Sequence, residues 1–482
     1  MAAPPQQRDL TSGPIARTLL LFALPTLGSN ILQSLNGSIN SIWIGQFLGE
    51  AAIAATANAN IIMFLMFALV FGLGMAATIL IAQAVGRRDI DAARRVVGTT
   101  MGVFVALSIT VVVIGWTTTP GLLQLLGTPA DVYPLALTYL RFTFLGVPPM
   151  LLSTMMTMAL RGAGDALTPF WFMAVSVVGT IVLNPLFIVG FGPIPALGIA
   201  GAAVATMIAN YAMLIGLTIY IYARDLPIRL RGEEFRYLFP DRRLLGMVSG
   251  RGLAMGLQMV VGSLSGLAMM GLVNRQGTVT VAAFGAASQL WTYIQMPAMA
   301  VGGAVSAMAA QNIGAGRWDR VGRITRSGLM MSLVLTGGLV LMITLFDRPA
   351  LSLFLGGDAV AIGIGRHINL LVAWGFILFG AMLVFAAAVR ANGVVLLPLA
   401  FMVIALFPVR FTVALALQPW LGTDALWYGF VTSFGASLAM NAAYYRWGGW
   451  RESRVTIPPP REEALEQTLA QGEPAGQQHP VG

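Results

Sequence analysis

The side chains that could do chemistry in this chain are mostly amides set in apolar surroundings. Asn30, Gln33, Asn36 and Asn40 lie in the run TLGSNILQSLNGSIN. At about 100° per residue they fall within an arc of about 120° on one helix face. Ser176, Thr180 and Asn184 recur at four-residue spacing, and Asn58, Asn60 and Asn210 add further amides. An uncharged amide both donates and accepts a hydrogen bond, which suits a wet cavity receiving varied ligands. Single amides also staple helices together, at about 0.6–2 kcal/mol each, but four on one face favour a lined cavity.

The second half offers weaker counterparts: Gln258, and Gln289 with Tyr293 on one face at i, i+4. The 26 methionines and aromatics such as Trp291, Trp374 and Phe376 supply an adaptable apolar wall for planar, lipophilic ligands. Arg141 and Arg410 interrupt apolar runs about 13 Å from the nearer end by helical rise. They either bond helix carbonyls structurally or attract an anionic group. Every acid falls in a loop, at the end of an apolar run or in a terminal segment, so no carboxylate is expected at membrane depth. His367, at the start of an apolar run, reads as an interfacial structural residue. With no cysteine there are no disulfides and no Cys-ligated metal, and no metal or organic cofactor is indicated.

The elements that must hold these groups are membrane helices. Hydrophobic residues make up 57% of the 482 and charged residues 10%, with mean hydropathy +0.80, far from the charge content of roughly 25% in soluble domains. Twelve spans are expected, at about 15–40, 51–84, 96–118, 132–160, 168–190, 197–222, 244–273, 280–313, 324–346, 361–389, 397–418 and 424–447. All 28 basic residues are arginine. Placing the amino end in the cytoplasm puts nearly all of them on that side and leaves Arg275, Arg348 and Arg366 opposite, so both termini are expected in the cytoplasm. The excess positive charge is spread along loops and is no sign of nucleic acid.

The halves repeat. AQAVGRRDIDAARR (82–95) aligns with AQNIGAGRWDRVGR (310–323), so Gln83 meets Gln311 and Gly86 meets Gly314 at an offset of 228. At 229, RGAGDALTP (161–169) meets RANGVVLLP (390–398). Six helices return the chain to its starting side, so the copies have parallel orientation about a pseudo-twofold axis along the membrane normal. A cleft between two bundles that rock is a transporter's architecture.

The segments LLFALPTLGSNILQSLNGSINSIWIGQFLGEAAIAA (20–55), FGLGMAATILIAQAVGRRDIDAARR (71–95), TYLRFTFLGVPPMLL (138–152), MALRGAGDALTPF (158–170) and LNPLFIVGFGPIPALGIAGAAVATMIAN (183–210) resemble the multidrug and toxic compound extrusion (MATE) transporters. The resemblance implies an all-α polytopic membrane protein of twelve helices in two parallel six-helix repeats, exporting small amphiphilic organic compounds by alternating access against a cation gradient. It also exposes a departure. The family commonly has a carboxylate where this chain has Asn40. One branch has a second before a proline on the fifth helix, where Asn184 precedes Pro185, with Thr180 where asparagine is usual. Another has a glutamate on the seventh helix, where Gly262 aligns. Coupling to H+ or Na+ therefore lacks its usual carboxylates.

The expected organisation is a cytoplasmic segment 1–14, an N-lobe 15–223, a cytoplasmic linker 224–243, a C-lobe 244–447 and a disordered cytoplasmic tail 448–482. The setting is the bacterial inner membrane, the partners an organic small molecule and the lipid bilayer, and the chain a monomer. The rivals are a flippase for lipid-linked precursors, which commonly carries more helices or a strongly cationic cleft, and a receptor or scaffold that transports nothing. An intramembrane enzyme would need a nucleophile with a base, or a metal cluster, and the chain is read as no enzyme.

Overall fold

The computed structural model describes residues 9–125, 127–192, 195–356 and 358–453, without the side chains at 50, 54, 57–59, 61–62 and 65. Asn58, most of the expected tail and most of the amino-terminal segment thus lie outside the described residues or side chains.

Apolar runs too long for a soluble core become helices, because within a bilayer each backbone amide must be satisfied inside its own segment. In chain order they are α1 (Ile15–Leu48), α2 (Glu50–Gly86), α3 (Ile90–Leu125), α4 (Tyr133–Leu145 with Val147–Gly162), α5 (Leu167–Val189), α6 (Ile199–Ala223), α7 (Arg242–Val273), α8 (Thr278–Gly314), α9 (Trp318–Leu345), α10 (Ala359–Val372 with Gly375–Arg390), α11 (Leu396–Ile404 continuing to Ala416) and α12 (Asp424–Trp447). Eight are long and apolar enough to span a membrane singly, and two more as the bent pairs α4 and α10. The long helices α8 and α12 complete twelve.

The two bends are repeat mates. α4 turns by 45° at Gly146 and α10 by 42° before Gly375, and these glycines stand 229 apart. In α4 the cause is local: Pro148 and Pro149 follow at once and cannot donate to the preceding turn. α11 widens into a π-turn over Ala405–Val409 around Pro408 and delivers Arg410 directly after it.

α1–α6 pack as one bundle and α7–α12 as the other, joined by the linker, which contains the 3-10 turn Gly232–Leu238. The N-lobe core is aliphatic around Phe104, Leu140 and Leu151, whereas the C-lobe core is an aromatic stack of Phe284, Trp291, Phe376, Trp427, Phe430 and Phe434. Asp9–Pro14, Gly448–Ser453, the linker and the α2–α3, α4–α5, α8–α9 and α10–α11 turns share one face, here the linker side. There α2 meets α7 and α8. A Cβ on Gly72 would collide with the Gly252 and Gly256 backbone, so the lobes touch main chain to main chain. Gly448–Ser453 of the expected tail is packed: Trp450 is buried against Tyr445, and Asn392 Nδ2 donates to the carbonyls of Trp450 (2.6 Å) and Ser453 (2.7 Å).

Candidate functional site

The polar seam of α1 meets α5 inside the N-lobe. Asn184 Nδ2 donates to Asn40 Oδ1 at 3.1 Å, and the Tyr139 hydroxyl from α4 stands beside the Asn40 side chain. Asn184 is fully buried, and Thr180, one turn earlier, is nearly so and returns its hydroxyl to the Ser176 carbonyl at 3.0 Å. Ser176 itself reaches across to the Ala209 carbonyl of α6 at 3.3 Å. Asn184 Oδ1 and Asn36 Oδ1 are buried acceptors with no donor among the described residues. The group is neutral throughout. It offers carbonyl oxygens and amide protons but nothing that can gain or lose a proton near neutral pH.

The structure brings Asn40, Thr180 and Asn184 together and keeps Asn36 one helical turn away on the same face. Gln33 and Asn60 are exposed, and Asn210 is half-buried on α6. In the other lobe, Gln289 and Tyr293 are exposed along one side of α8, while Trp291 between them points inward and donates from Nε1 to Asn369 Oδ1 at 2.9 Å. Gln258 stands apart, toward the linker side, where its Oε1 accepts from Arg390 Nη1 at 3.0 Å. Tyr139, Asn369 and Ser265 escaped the sequence reading. Tyr139 and Ser265 sit in runs where aromatic and small residues are routine packing, and only the burial of a hydroxyl or amide marks them.

The two intramembrane arginines differ. Arg410 is 4% exposed, donates to Ser265 Oγ (3.0 Å) and to Ser433 Oγ (3.0 and 2.8 Å), and lies 4.4 Å over Phe430 and 5.6 Å over Phe434. Hydroxyl oxygens and ring faces replace the water a guanidinium needs. Arg141 is half-buried, 5.2 Å over Trp116, and its Nε has no hydrogen-bond partner among the described residues. His367 Nε2 lies 2.9 Å from both carboxylate oxygens of Asp424 and ties the start of α10 to that of α12. Among the described residues no acid lies more than a turn inside a spanning helix, and no three His, Cys, Asp or Glu gather as a metal site. Such an interior can select by shape and hydrogen bonding, not by negative charge.

The family model described as MatE matches twice, at residues 25–186 and 254–415, one match in each lobe. The chain is 35% identical over 442 residues to the probable multidrug resistance protein YoeA of Bacillus subtilis (strain 168), covering 91% of this chain and 95% of that protein. It is 26% identical over 388 residues to an FAD transporter of Shewanella oneidensis, covering 80% and 84%. A crystal structure of MATE in the straight conformation superposes with a TM-score of 0.83 at 20% identity, covering 97% of this chain and all of that one. An outward-facing structure of a multidrug resistance MATE family transporter of the MOP superfamily superposes equally well, covering 92% and 98%.

Proposed function

The chain belongs to the multidrug and toxic compound extrusion (MatE) family, and on that premise we propose that its export cycle does not run through a titrating acid in the N-lobe. It is a multi-pass bacterial membrane protein and a multidrug efflux transporter. The observation that carries the finer reading is the bond from Asn184 to Asn40. An amide pair holds the fixed, neutral hydrogen-bonding pattern that a carboxyl would have only while protonated. It has no charge to discharge on reaching the other side of the membrane.

The bundle is then gated by substrate itself and by the membrane potential, or by a monovalent cation held weakly on neutral oxygens. Asn36 Oδ1 and Asn184 Oδ1 are buried acceptors suited to that. Without a carboxylate the main electrostatic attraction is missing, so the affinity is low. Gln33, Asn36, Asn40 and Asn60 from the N-lobe and Gln289 and Tyr293 from the C-lobe line the cleft. Arg141 and Arg410 are structural. Both termini and the linker lie in the cytoplasm, because the linker side carries the arginine-rich loops, and the working unit is a monomer.

The test installs what is missing. In Asn40→Asp with Asn184→Asp, export by reconstituted protein should acquire a dependence on an imposed proton gradient that the native chain lacks. A native chain already as proton-dependent as the variant would refute the reading.

A further inference from the structure

The lobes are closed on the linker side by contacts that obey the repeat. A Cβ on Gly86 would collide with the Gln311 carbonyl oxygen, and one on Gly314 with that of Gln83. Gln83 Nε2 donates to the Ala391 carbonyl at 2.7 Å, and Gln311 Nε2 to the Gly162 carbonyl at 3.0 Å. Every member has its mate 228 or 229 residues away, so each lobe reaches the other in the same way.

Over this seam runs Asp9–Gly13, which leads into α1 of the N-lobe yet is bonded to the C-lobe. Leu10 N donates to Gln311 Oε1 at 3.3 Å, and Asn312 Nδ2 donates to the Leu10 carbonyl at 3.0 Å. Arg317 Nη1 donates to the Thr11 carbonyl at 2.7 Å. Arg320 Nη2 reaches the carbonyls of Ser12 and Gly13 at 3.3 and 3.1 Å, while its Nε holds Asn312 Oδ1 at 3.1 Å. The Leu10 side chain is 1% exposed in a cluster with Val301, Ala304, Val305 and Met308 of α8.

The residues that receive this segment break the repeat. Gln311 and Gly314 have mates in Gln83 and Gly86, but at the same offset Asn312, Arg317 and Arg320 fall on Ala84, Asp89 and Ala92. The first lobe is covered instead by the linker. Leu238, 228 residues beyond Leu10, lays its carbonyl where a Cβ on Gly102 of α3 would be, and Tyr237 Oη donates to Asp91 Oδ1 at 2.9 Å. Each lobe is thus strapped by the segment that precedes the other lobe's first helix.

We propose that Asp9–Gly13 is a releasable strap that biases the transporter toward closure on the linker side, with Asn312, Arg317 and Arg320 as its positioning residues. Rocking the lobes apart there must tear this segment from α8 and the start of α9, because its far end is fixed to α1. The linker cannot play this part alone, since it joins the lobes in either state. The strap works whatever drives transport, so it stands apart from the coupling reading above.

The test uses the full cysteine-free chain in vesicles with no gradient. Reporter cysteines replace Ala82, buried beside Ala254, Ala309 and Ala310 at the seam, and in a second protein the exposed Gln33. Each is combined with Asn312→Ala, Arg317→Asp and Arg320→Ala, the residues of the first repeat. Removing the strap should raise labelling of the Ala82→Cys reporter by about tenfold and lower that of the Gln33→Cys reporter, as a shift between two states requires. A parallel rise at both reporters, or no change at either in folded protein, overturns the proposal. Should the triple variant fold poorly, Leu10→Asn withdraws the strap's anchor without touching α8 or α9, and the same two outcomes decide.

Discussion

Asn184 and Asn40, 144 residues apart in the chain, share a hydrogen bond of 3.1 Å where α5 crosses α1. Asn184 is fully buried, and its own Oδ1 has no donor among the described residues. Replacing Asn184 by Leu therefore removes one intramembrane hydrogen bond, a loss of about 0.6–2 kcal/mol. The expected outcome is a modest fall in the unfolding temperature of detergent-solubilised protein, with export reduced further than the amount of folded protein. Full export at lowered stability would make the pair a staple only.

Arg410→Gln should be far more costly than Arg141→Gln. The first variant loses charge-assisted bonds to Ser265 and Ser433 and the stacking on Phe430, and hydrogen bonds to charged groups are worth about 1.5–3 kcal/mol each. The second loses a half-buried contact with Trp116. Folded yield, and export of several substrates per folded molecule, are the measurements. A lower yield for Arg410→Gln, with export of all substrates reduced alike, is expected, whereas a selective loss of export for one substrate at normal yield would assign Arg410 to recognition.

Gly86→Leu should prevent linker-side closure, because the added side chain meets the Gln311 main chain, which cannot move aside as a flexible side chain would. The seam reporter Ala82→Cys should then label rapidly and export should stop, with the fold intact by thermal unfolding. Normal export from Gly86→Leu would mean that the lobes do not close as described.

Most of the fold was legible because the bilayer forces it: twelve apolar runs and a duplicated motif leave few alternatives. What the sequence concealed depends on single packing events. Pro148, Pro149 and Pro408 sit where the chain bends or widens, but a proline alone does not say whether a helix kinks, breaks or only widens, and the bend before Gly375 has no such mark. Trp450 falls within the segment 448–482 expected to be a disordered tail, yet it is buried against Tyr445. Within the candidate site, spacing placed Asn36, Asn40, Thr180 and Asn184 on their faces. It could not show that α1 and α5 turn those faces toward each other, nor that Tyr139 completes the group. Gln83 and Gln311 were visible as a repeat, but their exchange of hydrogen bonds across the lobes required the structure.

The strap should be acid-labile. Burial raises the Asp9 carboxyl, but the hydroxyl and main-chain N–H of Thr11, the Ser12 hydroxyl and the nearby Arg317 charge outweigh it and hold the group below its ordinary 3.8. A depressed carboxylate contributes stability that is present above the ordinary value and is lost as pH falls through the folded one. Labelling of the Ala82→Cys reporter, taken as a ratio to that of a freely exposed cysteine so that the fall in thiolate with acid cancels, should therefore stay low near neutral pH and rise at the acid end, below about pH 4. Asp9→Asn should abolish that acid-dependent rise in the ratio. A flat native profile would remove Asp9 from the strap.

The most direct measurement is export of a lipophilic dye by purified native protein in sealed vesicles, with an imposed proton gradient, an imposed sodium gradient, a potential alone or none. Downhill movement without any gradient, stimulation by potential or weakly by sodium, and no uphill export driven by protons is the expected pattern. Strong proton-driven uphill export that survives replacement of His367 would contradict the account, for a titrating group would then exist elsewhere than at Asn40 and Asn184.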